Sequence, residues 1–132
     1  CLEWVLGRVG VTSTPTLPVV NVDEAVAFYE RAGFGVRIYR DDSGEAGDGF
    51  AFVAFDGQSV FDLDAAPGMD AESNRSGCYV ITDAAEEWHV RMGDAGLAVT
   101  DIADQQWGMR EFTLTDPFGN RVRIGRAIPD SD

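Results

Sequence analysis

One hundred and thirty-two residues, 45% hydrophobic and 11% aromatic, describe one globular domain long enough to bury a sizeable core. A net charge of −13, from 23 acidic against 10 basic residues, argues against nucleic acid, whose phosphates need a basic footprint; taken alone it reads first as a solubility device or the habit of an acidic proteome, and second as an attraction for a cationic ligand. No apolar run approaches the ~20 residues of a membrane span; segment 2–10 holds Glu3 and Arg8 where a signal peptide needs an apolar core, and Cys1 and Cys78 are too few for a disulfide framework, so the reading is cytoplasmic with reduced thiols.

In chain order, residues 1–13 do not fit the pattern that follows and are set apart as an N-terminal extension: an added strand, an upstream start of translation or appended sequence. A single domain, 14–132, comes next. Residues 16–20 (Thr-Leu-Pro-Val-Val) read as a strand, with Pro18 marking an edge or a bulge. Asn21 is an N-cap with Glu24 at the capping-box position, and Ala25, Phe28, Tyr29 and Ala32 form the stripe of a core-facing helix that Gly33 stops. Strands are expected at 36–40, 50–55 and 59–64, with a polar, Gly-rich loop at 41–49 and a tight turn at Asp56-Gly57. Residues 65–76 read as a linker.

The plan then repeats. Residues 77–82 are a strand, Asp83 with Glu86 restates the capping box, and Ala85, Trp88 and Met92 stripe a second helix. Ala95-Gly-Leu-Ala-Val99 echoes Ala32-Gly-Phe-Gly-Val36. The chain is therefore two copies of one βαβββ unit, module 1 at 14–66 and module 2 at 76–126.

Module 2 closes on a hairpin. Strand 109–115 leads into Asp116-Pro-Phe-Gly-Asn120, where Pro117 presets φ, Gly119 can take positive φ, and Asp116 and Asn120 can bond nearby backbone. In strand 121–126, Val122 and Ile124 take one face and Arg121 and Arg123 the other. Trp107-Gly-Met-Arg110-Glu111-Phe112 joined to Asp116-Pro-Phe-Gly-Asn120 resembles the last hairpin of the vicinal-oxygen-chelate superfamily (glyoxalases, bleomycin-resistance proteins, dioxygenases), and most of all its bleomycin-resistance branch. The resemblance spans roughly residues 14–126. It implies an α+β fold of two tandem βαβββ modules whose curved mixed sheet surrounds a cleft, helices outside, with strand exchange giving a homodimer. It further implies a binding protein that sequesters a cationic, aromatic glycopeptide antibiotic in an acidic dimer-interface cleft. The alternatives are a metal-dependent glyoxalase, dioxygenase or transferase of the same fold, or a binder of another natural product.

Metal-dependent relatives hold a divalent ion through His, Glu or Gln on facing strands, and the motifs of this chain place those positions at Thr14, Ser76 and Arg123. Two hydroxyls and a guanidinium do not make a transition-metal site, so no metal and no cofactor are expected; an enzyme is disfavoured, with metal-free catalysis the remaining alternative. His89, the only histidine, is read as a surface or packing residue of the second helix.

Strand alternation assigns the ligand face. Asp62 and Asp64 point to it while Phe61 and Leu63 enter the core; Tyr79 and Ile81 are assigned to the core, leaving Ser76, Cys78 and Val80 on the ligand side; Glu111 and Thr113 share a face. The expected site is thus Asp62, Asp64 and Glu111 beneath a stacking Trp107, with Arg110, Arg123 and the small Gly119 nearby. Cys78 stands where the resembled binders carry an aromatic, and Ser43 where their second stacking ring falls, unless Tyr39 or Phe50 takes that place.

Overall fold

The computed structural model describes residues 12–40 and 46–129. Its elements follow in the order β1 (Thr16–Val19), α1 (Val22–Ala32), β2 (Gly35–Arg40), β3 (Ala46–Phe55), β4 (Gln58–Ala65), β5 (Gly77–Ile81), α2 (Ala85–Asp94), β6 (Ala103–Asp104), β7 (Met109–Thr115) and β8 (Arg121–Ala127). The strands form two mixed sheets, β1-β4-β3-β2 (sheet A) and β5-β8-β7-β6 (sheet B). In each, the first strand runs parallel to the fourth and the other pairs are antiparallel. No helix among the described residues is long and apolar enough to cross a membrane.

Local chemistry explains most boundaries. The Asn21 side chain accepts from the Glu24 N–H at 2.9 Å, and Gly33, at φ +104°, ends α1 in the left-handed conformation. Asp56 and Gly57 both have positive φ (53° and 81°), as a two-residue hairpin turn between β3 and β4 requires. Pro18 lies on an edge strand, where its missing N–H interrupts no ladder.

Three boundaries differ from expectation. β3 begins at Ala46 rather than near residue 50, because Ala46 still pairs with Arg40 across a bulge in β2; residues 41–45 of the expected loop, Ser43 among them, lie outside the described residues. The second capping box does not form. Ala84 is the N-cap, its N–H bonded to Thr82 Oγ1, because the Glu86 carboxylate is drawn away to Arg126 and Arg110. The second strand of module 2 shrinks to Ala103–Asp104 plus an isolated bridge from Val99 to Leu114.

Both sheets turn their apolar faces into one core. Leu17, Val53, Phe61 and Leu63 of sheet A and Phe112, Leu114, Val122 and Ile124 of sheet B are almost completely buried there with Tyr29 and Met92 of the helices. Each such side chain contributes roughly 1.5–3 kcal/mol of burial. The halves are crossed: Phe55, at the tip of the β3–β4 hairpin, lies 4.1 Å ring to ring from Trp88 of α2. Reciprocally, the β7–β8 turn presses on α1, where the Tyr29 hydroxyl donates to Asp116 at 2.7 Å.

Candidate functional site

The Asp-Pro-Phe-Gly-Asn turn is densely bonded, and its bonds are structural. Asp116 Oδ1 accepts the N–H groups of Phe118 and Asn120, both at 2.9 Å, and Oδ2 accepts Tyr29 OH and Asn120 Nδ2. Asn120 Nδ2 also donates to the Pro18 carbonyl at 2.7 Å, and its Oδ1 accepts from Asn74 Nδ2 at 2.8 Å. Asp116 and Asn120 are buried, and every donor or acceptor so spent ties β1, α1 and the inter-module connection together. Burial first, then the Asp116 carboxylate, pushes the Tyr29 phenol well above its ordinary value. Gly119, expected at the ligand, is instead held by this packing: at φ +85° its Cβ position would lie 2.3 Å from the Ala71 carbonyl oxygen.

Because both sheets bury one face, each leaves the other open, and the expected site residues divide between them. On sheet A the open face carries Phe50, Phe52 and Ala54 of β3, Asp62 and Asp64 of β4, and Arg37 and Tyr39 of β2. Pairing sets Phe52 beside Asp62 and Phe50 beside Asp64, an aromatic next to a carboxylate twice over. The Phe50 and Phe52 rings meet edge to face at 5.4 Å, and the Arg37 guanidinium sits 4.8 Å over Phe52. Tyr39 is 45% exposed, so a flat guest can reach it. Desolvation raises the Asp62 carboxyl above its ordinary value. Phe52 escaped the sequence reading because Phe-Ala-Phe-Val-Ala-Phe is apolar on both alternations; its pairing with Asp62 marks it as a face residue.

On sheet B the faces of β5 are the reverse of those expected. Val80 is buried and Cys78 packs against the core, while Tyr79 and Ile81 are exposed. The register with β8 decides this: Cys78 pairs with Val122 and Val80 with Ile124, both core residues, and paired residues point the same way. Burial pushes the Cys78 thiol up to about 12, which suppresses its thiolate at neutral pH. Tyr79 turned outward finds a partner, its hydroxyl donating to Glu111 Oε2. Gly125 lies between the two chains of atoms: a Cβ there would stand 2.8 Å from Glu111 Cβ and 2.9 Å from Tyr79 OH. Burial, then Glu111, raises the Tyr79 phenol to about 12. Trp107 is 61% exposed beside this pair, and Arg123 lies 5.4 Å over the Tyr79 ring.

Asp62 and Asp64 therefore do not lie beneath Trp107 with Glu111; the carboxylates of the expected site belong to two different sheet faces. Arg110 is on neither. It turns to the helix side, where Asp104 holds it at 2.6 Å and Glu86 at 3.1 Å, and Arg126 binds the same Glu86 at 2.7 Å. Hydrogen bonds from Arg126 and then Arg110 hold the Glu86 carboxyl down, to about 2.

The donor set does not fit a catalytic metal. No group of three or more His, Cys, Asp or Glu side chains converges among the described residues. Of the three positions expected from the resemblance to stand at the metal, Thr14 and Ser76 offer only hydroxyls, and Arg123 brings a positive charge. His89 is engaged as expected of a packing residue, with Nε2 at 2.9 Å from the Thr100 carbonyl and its ring against Phe112.

Comparison with known proteins gives a consistent result. The model of the Glyoxalase/Bleomycin resistance protein/Dioxygenase superfamily matches residues 8–124. A bleomycin resistance protein of Klebsiella pneumoniae is 29% identical over 120 residues, 85% of this chain and 89% of its own. Among solved structures, a bleomycin resistance determinant encoded on the transposon Tn5 superposes with a TM-score of 0.76 at 26% identity, covering 89% of this chain and 98% of its own. A bleomycin-binding protein complexed with bleomycin gives 0.74, also at 26% identity, over 88% and 98%.

Proposed function

The chain belongs to the Glyoxalase/Bleomycin resistance protein/Dioxygenase superfamily, and on that footing we propose that it is a metal-independent binding protein that sequesters a cationic, aromatic antibiotic of the bleomycin type without transforming it. The observation that carries this reading is the open face of sheet A, where Phe52 stands beside Asp62 and Phe50 beside Asp64. Flat rings of a guest have Phe50, Phe52 and Tyr39 to stack on, and its cationic groups have two carboxylates within reach. Arg37 over Phe52 shows that the ring already accepts a cation on its face. Two carboxylates on one strand face repel each other, and a polycation relieves that repulsion while gaining charge-assisted hydrogen bonds. The net charge of −13 attracts such a guest from a distance.

In the same proposal two protomers pair, so that Trp107 and Glu111 of one approach the acidic, aromatic face of the other and complete the cleft. Ile81, 73% exposed, and Trp107 give that contact an apolar component.

The experiment is a calorimetric titration of purified protein with bleomycin, run beside Trp107 fluorescence and light scattering. The expected result is saturable binding at micromolar concentration or tighter by a dimer, with quenching of the exposed Trp107. Trp107→Ala should weaken binding by roughly 2- to 13-fold, the ~0.5–1.5 kcal/mol of an aromatic stack. Asp62→Asn with Asp64→Asn should weaken it further and flatten its salt dependence. A drug that emerges chemically altered, or an affinity untouched by all three substitutions, would overturn the reading.

A further inference from the structure

All ten basic residues of this chain are arginines, against 23 carboxylates. Where the structure describes them, most are occupied. Arg110 and Arg126 are paired with Asp104 and Glu86, Arg31 donates to the Ala95 carbonyl, Arg91 lies over Trp88 and Arg37 over Phe52. Three others break that pattern. Arg75, Arg121 and Arg123 line a single hollow of about 420 Å³ on the open face of sheet B, with Tyr79 and Thr113 as its remaining polar walls. Among the described residues no carboxylate lines it; Glu111, bonded to the Tyr79 hydroxyl at its wall, pairs with none of the three. Among the described residues the Arg121 side chain has neither ion pair nor hydrogen bond, Arg123 has only the Tyr79 ring, and Arg75 donates only to the backbone carbonyls of Glu72 and Asn74.

Three guanidinium groups gathered without a counter-charge, in a protein with an excess of counter-charges to spend, are a cost to the fold unless something anionic enters. Arg121 and Arg123 alternate on β8 and so point to one face; β5 sets Gly77 and Tyr79 beside them, and β7 sets Thr113 beside Arg123. Planar forks of N–H donors converging with a hydroxyl match the geometry of a tetrahedral oxyanion. We propose that this hollow is an oxyanion site, binding a phosphate- or sulfate-type group of a small molecule, separate from the acidic face of sheet A.

The probes are inorganic phosphate, pyrophosphate and a phosphate monoester such as phenyl phosphate, titrated at constant ionic strength into the whole protein and followed by calorimetry and by amide shifts of β5 and β8. The expected result is one saturable site per chain, with affinity falling at least tenfold in Arg121→Gln and in Arg123→Gln and unchanged in Arg91→Gln, which alters a guanidinium elsewhere. Tighter binding of the monoester than of inorganic phosphate identifies an organic ligand, and equal binding a free anion; either supports the site. Unsaturable shifts, or an equal loss in Arg91→Gln, would overturn it. So would a dimer that dissociates in Arg121→Gln while phosphate has no effect on the unmodified protein, since the arginines would then be meeting carboxylates of a second copy. Thermal unfolding of each variant without ligand separates loss of the site from loss of the fold.

Discussion

Replacing Tyr29 with Phe removes one oxygen from the centre of the chain and nothing else. The ring is completely buried and packed edge to face against Phe28, Phe34 and Phe61, all of which Phe would keep. What goes is the 2.7 Å hydrogen bond to Asp116. Asp116 retains three donors, the N–H groups of Phe118 and Asn120 and the Asn120 side chain, so its carboxylate is not orphaned. The loss is that of one hydrogen bond to a charged group, about 1.5–3 kcal/mol. For a chain of 132 residues that lowers Tm by about 5–11 °C, taking about 2.1 cal/mol/K of unfolding entropy per residue. Asp116→Ala, which strands Tyr29 OH and the N–H groups of Phe118 and Asn120, should cost more than Tyr29→Phe, about 1–3 kcal/mol for each donor left buried and unpaired. Urea and thermal unfolding measure both, and a Tyr29→Phe variant within about 0.5 kcal/mol of the unmodified protein would refute the argument that this turn locks the halves. A pH series adds an independent check. The folded-state value for Tyr29 is raised above the ordinary one near 10, so the folded form holds its proton longer. Its contribution is complete below pH 10 and drains away as the pH climbs beyond; Tyr29→Phe should show a shallower alkaline loss of stability.

Further outcomes can be checked more briefly. In a Cys1→Ser background, iodoacetamide at pH 8 should alkylate Cys78 roughly 1,000-fold more slowly in the native than in the unfolded chain, because burial lifts its thiol to about 12; a native rate within tenfold of the unfolded one would contradict the inward direction of this side chain. Gly119→Ala should lower stability by at least about 1–3 kcal/mol, from positive φ and the clash with Ala71, without altering antibiotic affinity in the folded fraction. Glu86→Gln should reduce stability at neutral pH. Since the carboxyl is depressed from 4.5 to about 2, the difference from the unmodified protein should persist above pH 4.5 and close as the pH falls toward 2, as acid denaturation curves would reveal.

What could be read from the sequence was whatever is settled by near neighbours. Asn21 and Gly33 bracket α1 through contacts three to four residues away, Asp56-Gly57 dictates its own turn, and Val122 against Arg123 separates the faces of β8 by alternation. The misreadings share a cause in distant partners. Gly-Cys-Tyr-Val-Ile in β5 is apolar on both alternations, so only its register with β8, some 44 positions along, selects Tyr79 and Ile81 for the open face. Arg110 reads as a ligand residue until Glu86, 24 positions earlier, is seen to hold it. Asp62 and Glu111 look like one acidic cluster in a list of strand positions, yet they sit in different sheets because the shared core lies between the modules' inner faces.

The exchange of hairpin tips between the two repeats has a consequence for the halves themselves. A fragment ending near residue 68 would carry Phe34 and Phe55 with no indole to cover them, and its complement would expose Trp88 and leave Asp116 without its phenol. Neither piece should fold on its own, since each supplies the other's missing surface. Cut in the connection and mixed, they should find one another and restore a single folded body, a duplication whose copies have become mutually dependent.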